Sequence, residues 1–249
     1  MQKTLTSDDF KTMRQAGKIA AAVLKKLRRF IRPGISTKDI ETFFDRYLEK
    51  YPGMEPAFKG YSGYPASICV SINDEVIHGI PSTNRVISDG DVVSVDLGIK
   101  YKGLFVDTAY TYLVGNVSDQ AKRLTRITRE SLQAGIKNAR PGNKIGMISS
   151  VVQNLVEHAG FSVIRKFVGH GIGHNLHVPP EVPNFGTIDD GDKLTEGCAI
   201  AIEPMVCAGA FDVEIMTDGW TAKTKDKSIA AHFEHTVAIT PKGPWVITR

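Results

Sequence analysis

Residues 92–108 read Val-Val-Ser-Val-Asp-Leu-Gly-Ile-Lys-Tyr-Lys-Gly-Leu-Phe-Val-Asp-Thr. Apolar, β-branched runs precede both Asp96 and Asp107, so each aspartate sits inside a strand pattern, and Lys100 to Gly103 supplies the turn between them. A hairpin with that turn brings the two carboxylates close to opposite one another, to within a residue of register. A strand centre is a costly place for an unpaired charge. Two adjacent carboxylates repel, and one stays protonated unless cations lie between them. The competing account is a pair of aspartates that cap turns at strand ends.

Three further candidates lie downstream. His170 falls in Gly169-His170-Gly171-Ile172-Gly173-His174, where alternate glycines argue against a helix and permit close backbone approach. Glu203 ends the apolar run Ala199-Ile200-Ala201-Ile202, and Pro204 holds it extended. Glu234 lies in the strand-like His232-Phe233-Glu234-His235-Thr236-Val237. A lone buried glutamate usually signals an ion pair, yet no lysine or arginine lies within these strands. Two divalent cations balance four carboxylates and leave room for a bridging hydroxide. Oxygen donors with one imidazole suit Mn, Fe(II), Co or Zn. Metal ions about 3.5–4 Å apart activate water and polarise a carbonyl.

Upstream, Thr6 or Ser7 caps a helix carrying Met13, Ile19, Val23, Leu27 and Phe30 at helical spacing, ended by Pro33-Gly34. Ser36 or Thr37 caps a second helix with Ile40, Phe43, Phe44, Tyr47 and Leu48, ending before Pro52-Gly53. Strands are expected over 66–72, 92–99 and 104–114. The order then repeats, with helices over 118–138 and 145–158 and strand-like pieces near 163–168, 198–207, 211–216 and 231–240. Arg32-Pro33-Gly34 and Arg140-Pro141-Gly142 mark equivalent junctions, and the same offset carries Ile40, Phe44 and Leu48 onto Ile148, Val152 and Val156. This reads as an α+β chain of two helix-helix-strand units. The plainer explanation is that Pro-Gly ends helices everywhere.

With 249 residues, 42% apolar and 23% charged, the chain has the make-up of a soluble globular protein, and residues 1–249 read as a single catalytic domain. The net charge of +4 is mild. The run Lys25-Lys26-Leu27-Arg28-Arg29 falls on a helix and reads as a solvated face, so no specific nucleic-acid partner is expected. Cys69, Cys198 and Cys207 follow no metal-binding spacing and cannot all pair, which suits a reducing compartment. The start, Met1-Gln2-Lys3-Thr4, shows no apolar signal region, and no stretch approaches a membrane span. A cytoplasmic protein without membrane contact is expected.

The segments around Asp96, Asp107, Gly169 to Gly173, Ile202-Glu203-Pro204 and Phe233-Glu234-His235-Thr236 resemble the five metal-ligand motifs of type I methionine aminopeptidases. The likeness runs from Met13-Arg14-Gln15-Ala16-Gly17 through Asp218-Gly219-Trp220 to the last strand. It implies the pita-bread fold, two pseudo-symmetric halves around a central antiparallel sheet. Removal of the initiator methionine from nascent chains follows, with a small second residue preferred. Asp107 and Glu234 would bridge two ions, Asp96 would bind one with both oxygens, and His170 and Glu203 would complete the other. Glu203 would also shuttle the proton. His78 would contact substrate near the scissile amide and His177 would hold the carbonyl oxygen. Tyr61, Tyr64, Cys69 and Trp220 match the slot for the methionine thioether. His174 has no role in this scheme, and His235 should face away from the site.

The likeness has departures. Phe58 and Leu176 stand where Cys and Phe are frequent, and Val178-Pro179-Pro180 makes the mouth less acidic. A monomer is expected, with transient ribosome contact consistent with nascent-chain substrates. The rival enzyme is a proline-specific aminopeptidase or prolidase of the same fold, and the rival of another class is a pita-bread binding module that has lost its ligands.

Overall fold

Thr6 opens the first helix with a reciprocal cap: its hydroxyl accepts from the Asp9 amide, while the Asp9 carboxylate accepts from the Thr6 N–H. Helix α1 (Ser7–Phe30) buries Met13, Ala16, Ala20, Val23 and Leu27 along one face. Ser36 and Asp39 repeat the device at the start of α2 (Thr37–Leu48). The structure, a computed structural model, describes residues 4–249.

The first half continues with β1 (Met54–Pro56), β2 (Cys69–Ile72), β3 (Glu75–Ile77), β4 (Val92–Tyr101) and β5 (Leu104–Leu113). The second begins with α3 (Asp119–Asn138) and α4 (Ile145–His158). There follow β6 (Ser162–Val163), β7 (Gly169–Gly171), β8 (Val178–Val182), β9 (Ala199–Ile202) and β10 (Met205–Cys207). The last strands are β11 (Val213–Ile215), β12 (Ala222–Thr224), β13 (Ala230–His232), β14 (His235–Thr240) and β15 (Gly243–Val246). The four expected helices stand where the sequence places them, α1 and α2 behind their caps. Ile40, Phe44 and Leu48 are buried in one core, and their offset partners Ile148, Val152 and Val156 are buried in the other half.

Every strand pair among the described residues is antiparallel, and the strands form four sheets. β4 and β5 make the long hairpin, with Tyr101 paired to Leu104. Its turn is therefore the two residues Lys102 (φ 49°) and Gly103 (φ 76°), a left-handed pair matched to strand twist. This tighter turn sets the register. Asp107 pairs with Gly98 and Asp96 with Ala109, so the aspartates are diagonal rather than opposite. The separation of 96 from 98 is one full period of two, so both carboxylates still share a face.

Two expected strands are broken. The run 198–207 divides into β9 and β10 at Glu203-Pro204, and 231–240 divides into β13 and β14 at Phe233-Glu234. Ile202 pairs with His235 in the five-stranded sheet, and Met205 pairs with His232 in a three-stranded one. One antiparallel ribbon thus changes sheets at both glutamates. Pro204 has no N–H to continue the ladder. Glu234 turns instead to β5, exchanging backbone hydrogen bonds with Ala109. That exchange joins the two halves. The pieces at 66–72, 163–168 and 211–216 are also shorter than expected, reduced to β2, β6 and β11.

Candidate metal centre

The seam between the halves is where the chemistry gathers. The Asp107 amide donates to Thr236 Oγ1 (2.8 Å), and that hydroxyl donates back to the Asp107 carbonyl (2.8 Å). Thr108 Oγ1 donates to the Glu234 carbonyl (2.8 Å). These two threonine hydroxyls tie β5 to the second half and set Asp107 and Glu234 beside each other. His170 arrives on β7, whose neighbours approach so closely that a Cβ on Gly171 would lie 2.5 Å from the Pro179 carbonyl oxygen. At Gly169 a Cβ would collide with the Ala201 carbonyl. The alternating glycines permit the close approach expected of them.

Asp107, His170 and Glu234 each offer one ligand atom, and these atoms lie within 4.8 Å of one another. His170 Nε2 is 4.0 Å from Asp107 Oδ2 and 3.6 Å from Glu203 Oε1. Asp96 reaches the same space from β4. All five expected ligands line one cavity of about 190 Å³, smaller than the usual ligand cleft of about 300–1,000 Å³ and suited to one side chain. Among the described residues no lysine or arginine pairs with any of the four carboxylates. Asp96 Oδ1, Asp107 Oδ1 and Glu234 Oε1 are buried with no hydrogen-bond partner. Buried oxygens left this way are costly, and a divalent cation is the partner that their number and charge fit.

Protonation in the metal-free chain follows from that crowding. Burial first, then neighbouring carboxylates, pushes Asp96, Glu203 and Glu234 well above the usual carboxylate range. Burial raises Asp107 to about 7. His170 is lowered to about 3 by burial, so it is neutral and able to ligate. A carboxyl whose folded pKa is raised is more protonated folded than unfolded, so its burial costs more stability as pH rises from about 4 through the folded value. The lowered histidines cost stability only below about pH 6.5. Between pH 6.5 and 8.5 the carboxyls therefore govern. Each one still protonated in the fold costs about 1.4 kcal/mol per pH unit, or roughly 3–6 °C. The melting temperature of chelator-treated protein is expected to fall across that window, and the increment on adding Mn(II) to grow. A flat or rising metal-free midpoint would contradict this electrostatic account.

The cavity walls carry every residue assigned to substrate. Tyr64 is buried, and its hydroxyl lies 3.1 Å from the Ile68 carbonyl and 3.2 Å from that of Gly79. Its ring meets Trp220 edge-on at 5.1 Å. Cys69 pairs with Asp96 across β2 and β4, and burial followed by that carboxylate keeps its thiol protonated, so it packs rather than attacks. Phe58 and Leu176 line the same space. A Cβ at Gly98 would come within 2.7 Å of the Phe58 ring, so the glycine opposite Asp107 makes room for that wall. The Pro-containing β8 is the edge of its sheet, where missing donors are tolerated.

Both expected histidines are present at the cavity. His78 follows β3 in a left-handed conformation (φ 60°), strained for a non-glycine residue. Burial lowers its pKa to about 4. His177 stands at the mouth, its Nδ1 2.9 Å from the Tyr61 hydroxyl and its ring centroid 4.1 Å from that of His170. His174 is exposed. His235 points away, its Nδ1 2.9 Å from Thr248 Oγ1.

Two residues escaped the sequence reading. Ser62, left-handed (φ 48°) in the turn Tyr61–Gly63, lines the cavity. His232 lies beside Glu203. Only the fold singles it out, because Glu203 comes from a different strand run.

The profile of metallopeptidase family M24 matches residues 11–241. The chain is 47% identical to methionine aminopeptidase 1 of Bacillus subtilis (strain 168) over 237 residues, which cover 95% of each chain. The chain belongs to metallopeptidase family M24. Its structure superposes on that of a methionine aminopeptidase from Thermotoga maritima with a TM-score of 0.98 and 45% identity, covering 100% of both chains. A prolidase from Pyrococcus horikoshii OT3 shares the fold alone, with a TM-score of 0.80, 22% identity and 63% of its longer chain covered. The M24 pita-bread architecture expected from the five motifs is thus the architecture found. As an M24 metallopeptidase the chain uses divalent metal, and Asp107, His170 and Glu234 form a candidate group for holding it.

Proposed function

We propose that the chain is a methionine aminopeptidase, removing the initiator methionine from nascent polypeptides with two divalent ions held by Asp96, Asp107, His170, Glu203 and Glu234. The carrying observation is one cavity that joins this ligand set to a slot of aromatic rings and a protonated thiol. Bound there, the ions would polarise the scissile carbonyl and make water acidic enough to attack at neutral pH. Mn, Fe(II), Co and Zn all fit the donors.

The protein groups divide the remaining work. Tyr61, Tyr64, Cys69 and Trp220 take the methionine side chain, whose thioether packs well on rings and sulfur. His177 Nδ1 lies 2.9 Å from the Tyr61 hydroxyl; with Tyr61 as the donor, the imidazole proton would sit on Nε2, free to donate to the carbonyl oxygen as negative charge develops. Glu203 takes the proton of the attacking water and returns it to the leaving amine. His78, neutral through burial, would face the amide nitrogen, as the family likeness implies. The preference for a small second residue rests on the family likeness.

The site draws on both halves, which supports reading residues 1–249 as one catalytic domain. Nascent N-termini are its partners in this scheme. A monomeric, cytoplasmic enzyme that meets the ribosome transiently and binds no specific nucleic acid completes it. Among the described residues no helix is long and apolar enough to cross a membrane.

Met-Ala-Ser and an Xaa-Pro peptide separate the readings. With Mn, Co or Fe(II) supplied, methionine is expected to be released from the first and the second left intact. Preferential Xaa-Pro cleavage would make the chain a prolidase-type enzyme, and cleavage of neither would favour a binding module.

A further inference from the structure

His232 closes β13 and is 2% exposed. Its backbone is held on both sides by one hydroxyl: the N–H donates to Thr111 Oγ1 (2.9 Å), and the carbonyl accepts from the same group (2.7 Å). Strand pairing with Met205 on β10 therefore fixes where the imidazole starts. Nε2 ends 3.8 Å from Glu203 Oε2 and is buried with no hydrogen-bond partner. On the other side of the same carboxylate, Oε1 lies 3.6 Å from His170 Nε2. Two imidazoles thus flank Glu203, one at each oxygen, while Asn184 Nδ2 donates to its backbone carbonyl (2.9 Å).

We propose that His232 is a positioning residue for Glu203, its Nε2–H donating to Oε2 so that Oε1 is presented to His170 and the cavity. A buried donor left unsatisfied is costly, so the imidazole has reason to find an acceptor. A shift of roughly 1 Å in the carboxylate brings 3.8 Å to hydrogen-bond length. Ligating carboxylates are commonly held this way by a group behind them. A glutamate with three side-chain torsions gains from such a clamp, because a loose carboxylate can turn either oxygen to the ion. The inference rests on the metal centre proposed above.

The test compares the metal-free native chain with His232→Gln and His232→Leu, titrated with Mn(II) by calorimetry. The metal-free melting temperature of each is measured, together with kcat and KM on Met-Ala-Ser. His232→Leu is expected to bind Mn(II) about 10–100-fold more weakly and to lose kcat with KM nearly unchanged. His232→Gln keeps an N–H donor of similar reach and is expected to return most of both. Should the Leu chain fail to fold, His232→Met supplies an unbranched apolar replacement. Native Mn(II) affinity in a folded Leu or Met chain would overturn the proposal, as would equal losses in the Gln and apolar variants. If the native chain itself takes up no Mn(II), the metal-centre reading fails instead, an outcome distinct from the other two.

Discussion

An Asp107→Asn chain is expected to stay folded while its Mn(II) affinity falls at least about a hundredfold and Met-Ala-Ser turnover falls further. Asp107 is the most central of the five groups, within reach of both His170 and Glu234. Its backbone is clasped by Thr236 from the other half and does not depend on the carboxylate charge. The change to asparagine conserves shape and removes one charge from a set that only cations offset. Breaking one partner from a buried charged cluster costs about 3–5 kcal/mol, which corresponds to roughly two to four powers of ten in affinity. The same change relieves repulsion in the metal-free chain, so its melting temperature at pH 8 should rise. Weaker metal binding together with a more stable empty protein is a combination that simple misfolding cannot produce. Undiminished Mn(II) affinity would remove Asp107 from the ligand set.

The second large effect is expected at Glu203. Glu203→Gln should lower kcat by about 10²–10⁴-fold, the usual range for loss of a general acid–base group, with KM changed far less. Glu203 stands at the sheet change, anchored through its backbone by Asn184, with one carboxylate oxygen toward His170. The amide keeps that shape but cannot accept the proton of the attacking water. Because Glu203 is also assigned to a metal, the rate is measured with Mn(II) content matched to native. A kcat unchanged at equal metal content would dismiss Glu203 from proton transfer and leave it a ligand only.

Both expectations begin in short stretches of sequence, and the stretches differ in what they disclosed. The caps were legible to within one residue, Thr6 or Ser7 and Ser36 or Thr37, because capping is local; the structure takes Thr6 and Ser36. The helical faces through Ile40 and Ile148 were legible because burial follows periodicity. The hairpin was legible, but its register was not, since that depends on which two residues take left-handed conformations. Glu203 and Glu234 were recognised as candidates, yet the ribbon's change of sheet at both was invisible. Pro204 alone signals a missing donor, not which strand the partner turns to. His232 was overlooked because a histidine two residues from a glutamate acquires meaning only when a remote strand brings another carboxylate to it.

The amino-acid order by itself determined the inventory: four carboxylates and a histidine set in apolar runs, without cations beside them, in a chain whose second half repeats the order of the first. Local rules suffice for that, because strand period, helix period and the cost of unpaired charge act over a few residues. Only the tertiary structure decided that these groups meet in one small cavity, which of them touch, and what stands behind them. The reason is that the contacts joining Asp107 to Thr236 and Glu234 to Ala109 bridge the two halves. The residues on either side lie more than a hundred positions apart, far beyond any local period.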